Sequence, residues 1–194
     1  MSGKNQQPDN IHNLFNHPVI PSVNHRKELL IAMQQAEVEW IMLKLGDINS
    51  LPQLVRAIHQ AGKKVMVHQD SIKGIAKDKM GIKFMANCFV DCIITNRAAC
   101  IKAISEAGMI SALGLFVIDS EACRTGMAYI KEYQPDLITL MPGSIPDQII
   151  EKIKNEVANP FILGGLITEL NQVHHAIKIG AAAVASSQRE LWNG

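Results

Sequence analysis

The chain has 194 residues, a formal net charge of +1 at pH 7, 47% hydrophobic residues and 19% charged residues. This length supports one domain or two small ones, and the composition is ordinary for a globular protein in water. The balanced charge excludes a strong field toward nucleic acid or membranes, and no apolar run approaches the roughly 20 residues of a membrane helix. We therefore expect a cytoplasmic protein without a membrane partner.

Residues 1–16 predict a flexible leader, followed by a single domain at residues 17–194. The leader begins MSGKNQQPDN, which is polar and lacks the apolar centre of a secretion signal. The cysteines form no C-x-x-C pair, so we expect buried, reduced thiols at Cys88, Cys92, Cys100 and Cys123. A zinc site at the first two is the alternative, although their spacing suits zinc poorly.

From Pro18 onward, short apolar runs alternate with amphipathic segments of helix length. Strands are predicted at residues 19–23, 40–45, 64–68, 92–95, 112–118, 137–141, 160–163 and 181–185. Helices are predicted near residues 26–36, 50–61, 76–88, 98–107, 120–133, 146–157 and 168–179, with a short last helix at 188–192.

This alternation indicates an α/β fold built from right-handed βαβ units. The strands are almost continuously apolar, as in parallel sheets that are buried on both faces. Eight such units close into a compact (β/α)8 TIM-type barrel with a short final helix. An open, doubly wound sheet is the alternative. Because TIM barrels typically have ~250 residues, the loops of this shorter chain must be brief.

The last two predicted strands each end in a turn of small residues. Gly164-Gly165 follows the seventh strand, with Thr168 as a helix cap, and Ser186-Ser187 follows the eighth. Ser187 and Glu190 also have the S-x-x-E spacing of a capping box. Helix N-termini attract anions, and TIM barrels often bind phosphate at these two turns. The pattern predicts a phosphate cradle, unless these residues serve only turn and cap geometry.

Functional side chains in a barrel lie at the carboxyl ends of the strands. His68 and Asp70 follow the third strand, where an H-x-D pair is too small a set to predict a metal. Arg97 follows the fourth strand and is placed either to meet an anionic ligand or to pair with an aspartate. The predicted phosphate- and effector-binding residues are Gly164, Gly165, Leu166, Ser186, Ser187, Pro142, Gly143, His68, Asp70, Asn96 and Arg97.

Reactive groups are scarce at these positions. The sequence has no lysine deep in the sixth strand, no paired carboxylates at strand ends, no G-x-S-x-G motif and no Walker loop. We therefore predict no catalytic residue, no cofactor and no metal, in a protein that is not an enzyme. The alternative is a phosphate-binding TIM-barrel isomerase, lyase or synthase.

A basic segment follows the third strand. Its lysines are a solvated face or, alternatively, a patch for RNA phosphates. They are Lys73, Lys77, Lys79 and Lys83.

Several stretches together resemble the glycerol-3-phosphate-responsive antiterminators of bacterial glycerol-uptake operons. They are HPVIPSV at 17–23, HQDSIKGIAKD at 68–78, CIITNR at 92–97, LFVIDS at 115–120, LMPGSIPDQI at 140–149, FILGGLI, IGAAAVASS and ELW. The resemblance implies a phosphate-binding TIM barrel without a catalytic role. It also implies that glycerol 3-phosphate, or a similar small phosphate ester, controls binding to leader mRNA and hence transcription antitermination in glycerol metabolism. Self-association into a homo-oligomer stays open.

Three inner positions depart from the pattern of that family. Lys44, Leu45 and Gly46 stand where Glu-Thr-His is usual, Leu113 and Gly114 replace Gln-Arg, and Thr139 replaces a glutamate. Buried charges persist only when paired, so we interpret their joint loss as the replacement of one ion-paired network as a unit. We expect an intact phosphate half and an altered effector half, and a diverged paralogue with a changed effector is a further alternative.

Overall fold

In the computed structural model, which describes residues 14–193, eight parallel strands close into a barrel. The strands are β1 (Val19–Val23), β2 (Trp40–Leu43), β3 (Lys64–His68), β4 (Cys92–Thr95), β5 (Ile110–Phe116), β6 (Leu137–Met141), β7 (Phe161–Gly164) and β8 (Ala183–Ser186). The helices are α1 (Arg26–Gln34), α2 (Leu51–Gln60), α3 (Lys79–Asn87), α4 (Ile101–Glu106), α5 (Ser120–Tyr133), α6 (Asp147–Glu156) and α7 (Leu170–Lys178). Short 3-10 helices lie at Gln69–Ser71, Ala98–Cys100 and Arg189–Leu191.

Each strand pairs with the next, and β1 closes the ring by pairing with β8, with Val19 opposite Val184. The predicted (β/α)8 barrel is therefore confirmed, and the open-sheet alternative is wrong. Of the predicted leader, residues 1–13 lie outside the described part of the chain, so that prediction is untested. Leu14 and Phe15 pack on Trp40, whose indole N–H donates to the carbonyl of Leu14 at 3.0 Å.

Two apolar layers form the core. Alternate strand residues point into the barrel and pack on one another, and the intervening residues pack under the helices, as the two-residue period of a strand requires. The inner layer includes Ile20, Met42, Met66, Ile94 and Ile162. All four cysteines are free and buried, as expected. Among residues 14–193, no group of three or more His, Cys, Asp or Glu side chains could hold a metal, which leaves the zinc alternative without support.

Strand β5 begins two residues before its predicted start. Ser111 is fully buried within it, and its amide N–H and hydroxyl donate to the carboxylate of Asp136 at 2.8 and 2.7 Å. This pairing satisfies a polar side chain inside the strand, which an apolar pattern does not anticipate.

A second aspartate carboxylate likewise accepts a backbone hydrogen bond at the amino end of β3. Asp91 accepts the N–H of Val65 and contacts Nε2 of His59, both at 2.8 Å. These two aspartates hold the amino-terminal end of the barrel, where TIM barrels concentrate stability rather than chemistry. None of the helices described here is long and apolar enough to cross a membrane.

Candidate functional site

A cavity of about 260 Å³ lies at the carboxyl ends of the strands. This is the end of a TIM barrel where ligands bind. Inward-facing residues of β1, β2, β3 and β6 form one part of its wall, and the turns after β7 and β8 form the rest. It is lined by Ser22, Asn24, Met42, Lys44, His68, Thr139, Met141, Gly164, Gly165, Leu166, Ile167, Thr168, Ala185, Ser186, Ser187 and Gln188.

The turn after β7 has an unusual backbone. Gly165 and Leu166 are both left-handed, with φ of 81° and 61°. A non-glycine residue is held in this region only at a cost of about 1–3 kcal/mol, and such strain is concentrated at ligand sites. Among residues 14–193, the N–H groups of Leu166 and Ile167 donate to no acceptor. A tight turn with unused N–H groups is the kind of concavity that binds anions.

The turn after β8 is hydrogen-bonded to the turn after β7. The hydroxyl of Ser186 donates to the carbonyl of Ile167 at 2.8 Å and accepts the N–H of Gln188 at 3.1 Å. The indole N–H of Trp192 donates to the carbonyl of Ser186 at 3.0 Å. Ser187 is exposed beside them. Ser186 therefore fixes the shape of both turns, and Ser187 is the serine whose hydroxyl is in reach of a ligand.

The helix starts at this end differ from the prediction. Helix α7 has Glu169 as its N-cap, in a capping box with Gln172, because the Gln172 amide oxygen accepts the N–H groups of Thr168 and Glu169 at 2.8 and 3.0 Å. The last segment is a three-residue 3-10 helix after Gln188, so the predicted Ser187–Glu190 capping box and Thr168 cap are both wrong. Unused N–H groups here belong to turns rather than to helix ends.

Pro142 and Gly143 lie behind the β7 turn and do not line the cavity. The N–H of Gly143 donates to the carbonyl of Gly165 at 2.7 Å. A Cβ atom at Gly143 would overlap Ile167 and lie 2.9 Å from the Gly165 oxygen. A glycine is needed at this position because the β7 turn lies directly against it.

Lys44, directly after β2, and His68, at the end of β3, form another part of the cavity wall. In a ring of eight strands, β3 lies opposite β7 and β2 lies opposite β6. Burial lowers the pKa of the Lys44 ammonium. The pKa of His68 is lowered by burial and then by the positive charge of Lys44, against the opposing charge of Asp70. A neutral imidazole beside a partly desolvated ammonium therefore faces the ligand space.

One polar atom in this wall has no partner. The hydroxyl of Thr139 is buried and makes no hydrogen bond to any residue in the described range. Buried polar atoms are almost always paired, so an orphan at a cavity wall is suited to bond a ligand group or an ordered water.

Three of the predicted effector residues lie elsewhere on the rim. Asp70 forms a 2.6 Å ion pair with Lys77. Burial raises the pKa of the Asp70 carboxyl, but the hydrogen bond and charge of Lys77 outweigh it and leave that pKa below its ordinary range. Asn96 and Arg97 are exposed and outside the cavity. The Asn96 amide fills the space over Gly114, where a Cβ atom would overlap its oxygen.

The basic segment is arranged in two parts. Lys77 is neutralised by Asp70, whereas Lys79 and Lys83 are exposed and four residues apart, on one face of α3. Lys73 is exposed, and its backbone pairs with the segment after β2, through the N–H of Ile48 at 2.9 Å.

Sequence reasoning missed several lining residues. Ser22 and Asn24 continue the inward-facing positions of β1 past Ile20, and this alternation was the signal that identifies them. Thr168 and Gln188 enter the wall only because the two turns fold over it, which no local pattern indicates.

Known proteins resemble this chain in sequence and in fold. A family profile described as glycerol-3-phosphate responsive antiterminator matches residues 19–192. A crystal structure of a glycerol uptake operon antiterminator regulatory protein from Listeria monocytogenes is 33% identical, with a TM-score of 0.89 over 94% of this chain and 98% of that one. An antiterminator-related protein from Thermotoga maritima is 22% identical, with a TM-score of 0.83 over 93% and 100% of the two chains. Protein YgcP of Escherichia coli is 27% identical over 94% of this chain and 95% of its own.

Proposed function

This chain belongs to the family of glycerol-3-phosphate responsive antiterminators, and on that basis we propose that it is a ligand-controlled regulator of transcription antitermination. It binds a small phosphate ester, in the manner of glycerol 3-phosphate, in the cavity at the carboxyl end of the barrel. The liganded protein then binds the leader mRNA of a glycerol-utilisation operon. Because it acts on nascent mRNA, its place of action is the cytoplasm.

The β7 turn is the observation that carries the phosphate part of this proposal. The turn contains the left-handed pair Gly165 and Leu166, the N–H groups of Leu166 and Ile167 are unused, and Ser187 adds a hydroxyl. Phosphate oxygens accept such hydrogen bonds without needing a cationic side chain. Among residues 14–193, no aspartate or glutamate lines the cavity to repel them.

The absence of a suitable acid–base pair favours a binding protein over an enzyme. Among the described lining residues, only Lys44 and His68 have titratable side chains. Proton-transfer catalysis needs an acid and a base with matched roles at the reacting atoms. The Asp70 carboxylate, which is nearest to His68 in sequence, is occupied by Lys77.

The basic segment after β3 supplies the RNA part of the proposal. With a net charge of +1, the molecule has no general attraction for RNA, so a local patch must provide the cations. The segment starts at His68 in the cavity wall and continues through Lys77 to the exposed Lys79 and Lys83 on α3. A ligand that orders this segment favours RNA binding, and RNA favours the ligand by the same factor, typically about 1–3 kcal/mol.

Leader RNA binding with and without glycerol 3-phosphate tests the proposal. The expected result is tighter binding in the presence of the effector, measured by filter retention at fixed salt. Failure of the protein to bind leader RNA with either glycerol 3-phosphate or a related phosphate ester would instead favour a diverged paralogue.

A further inference from the structure

The cavity at the carboxyl end of the barrel contains a single cation. Among residues 14–193, Lys44 is the only lysine or arginine that lines it, and no aspartate or glutamate does so. In the same range, no carboxylate lies within ion-pairing distance of the Lys44 ammonium. Lys44 is half-buried, so its ammonium has lost part of its hydration without gaining a counter-charge.

Lys44 lies near the turn after β8 in the ring of strands. Strand β1 pairs with β8 on one side, where Pro21 is opposite Ser186, and with β2 on the other. The N–H of Lys44 continues the β2 pairing by donating to the carbonyl of Val23 at 2.9 Å. Because neighbouring strands are about 4.8 Å apart, the backbone at Lys44 is roughly 10 Å from β8 around the ring. The flexible four-carbon stem of a lysine can cover much of that distance within a cavity that Lys44 and both turns line.

A phosphate at these turns carries a charge that the turns do not neutralise. Backbone N–H groups and hydroxyls donate hydrogen bonds without net charge, whereas a phosphate monoester carries about −1.5 to −2 at pH 7. His68 does not supply the missing charge, because burial and then the charge of Lys44 lower its pKa. Lys77 is paired with Asp70, and Arg97 does not line the cavity. In the described lining, Lys44 is therefore the one group that can meet the phosphate charge.

We propose that Lys44 is the phosphate-binding cation of this cavity. The N–H groups of the β7 turn fix the position of the phosphate, and the Lys44 ammonium, extended past β1, forms an ion pair with its oxygens. Charge-assisted hydrogen bonds of this kind are about twice as strong as neutral ones. The inference rests on the proposed phosphate site and adds to it a binding residue that follows β2.

Inorganic phosphate is the probe that tests this role, since it has no carbon skeleton for Lys44 to contact instead. Calorimetry on the full chain, with phosphorus NMR for weak binding, gives dissociation constants for inorganic phosphate and glycerol 3-phosphate at one ionic strength. Lys44→Met should raise both constants at least about tenfold and by a similar factor, the range of a hydrogen bond to a charged group. Lys44→Arg keeps the charge and should bind both probes more tightly than Lys44→Met.

Two controls separate this role from general effects of charge and folding. Lys27→Met removes an exposed cation from the start of α1, outside the cavity, and should leave both constants within about twofold because salt screens surface charges. Without ligand, Lys44→Met should melt at a temperature no lower than wild type, because the substitution removes an unpaired, partly buried charge. A variant that loses both stability and phosphate affinity would assign Lys44 a structural role and overturn the inference.

The two probes also distinguish failure of the inference from failure of the phosphate site. Unchanged affinity for inorganic phosphate in Lys44→Met overturns the inference and leaves the site standing. A loss confined to glycerol 3-phosphate, or wild-type binding of that ester alone, also overturns it, because the phosphate group is then not what Lys44 recognises. If neither probe binds the wild-type chain, the proposed phosphate site fails together with the inference.

Discussion

The hydroxyl of Ser186 donates a 2.8 Å hydrogen bond to the backbone carbonyl of Ile167, which joins the turns after β8 and β7. Ser186 is 3% exposed, so replacing it by alanine leaves a buried carbonyl and the N–H of Gln188 without their partner. We expect Ser186→Ala to lower the free energy of unfolding by about 1–3 kcal/mol and to weaken phosphate binding. Denaturant unfolding measures the first effect and calorimetry the second. Ser187→Ala is the control for stability alone, because loss of an exposed hydroxyl should change the free energy of unfolding by less than about 0.5 kcal/mol.

Gly165→Asp should abolish phosphate binding, because it places a carboxylate in the cradle and a side chain on a left-handed residue. Gly108→Asp is a matched control, since Gly108 has a φ of 80° against 81° for Gly165 and open space around it. Both variants carry the same backbone strain and the same charge change. Phosphate affinity measured by calorimetry should therefore fall only in the first. Equal losses in the two variants would remove the β7 turn from the site.

The partial burial of His68 predicts a pH dependence of stability. Its pKa is lowered in the folded protein, first by burial and then by Lys44, so the unfolded chain binds more protons as the solution becomes acidic. The stabilising contribution is fully present above the ordinary histidine pKa of about 6.5 and is lost as the pH falls toward the lowered folded value. We expect His68→Gln to flatten unfolding free energies measured between pH 7 and pH 5. The same slope in wild type and variant would contradict this.

Charge reversal on α3 should weaken binding to leader RNA. We expect the Lys79→Glu and Lys83→Glu double variant to reduce the slope of log affinity against log salt by about 1 to 2 and to leave effector affinity nearly unchanged. Filter binding over a salt series measures both. The control pair, Lys152→Glu and Lys178→Glu, makes the same charge change on α6 and α7. Because Asp70 already neutralises Lys77, a Lys77 variant should have the smaller effect.

Glycerol 3-phosphate should emerge chemically unchanged from incubation with the protein. Product analysis by mass spectrometry or phosphorus NMR provides the measurement. Turnover that disappears in His68→Ala would show that the imidazole has a matched acid–base partner after all and would favour the enzyme alternative.

Much of the barrel was predictable, because the bounds of β1, β3, β4 and β6 follow directly from apolar runs between turn residues. The start of β5 was not, since a buried Ser111 depends on a carboxylate 25 residues away. The same distinction holds in the site. Glycines and serines predicted a turn, but only the folded chain reveals that Ser186 faces Ile167 and that Gly143 supports the turn from behind.

The sequence also could not predict that Lys44 has no ion-pair partner among residues 14–193. A lysine at a strand end is normally interpreted as solvated or paired, but among residues 14–193 no carboxylate lines the cavity with Lys44, and Asp70 pairs with Lys77. Long-range competition of this kind between charges is decided by the folded geometry, not by spacing along the chain.

Asp91 and Asp136 fasten the amino-terminal end of the barrel, on the far side from every residue that faces the cavity. Substitutions in the ligand wall consequently leave these anchors untouched, and a lineage can drift from one metabolite signal to another while its folding stays intact. The same separation is useful for engineering a metabolite sensor. The carboxyl end of the barrel can be mutated to change ligand recognition, while the amino end is kept unchanged to preserve folding.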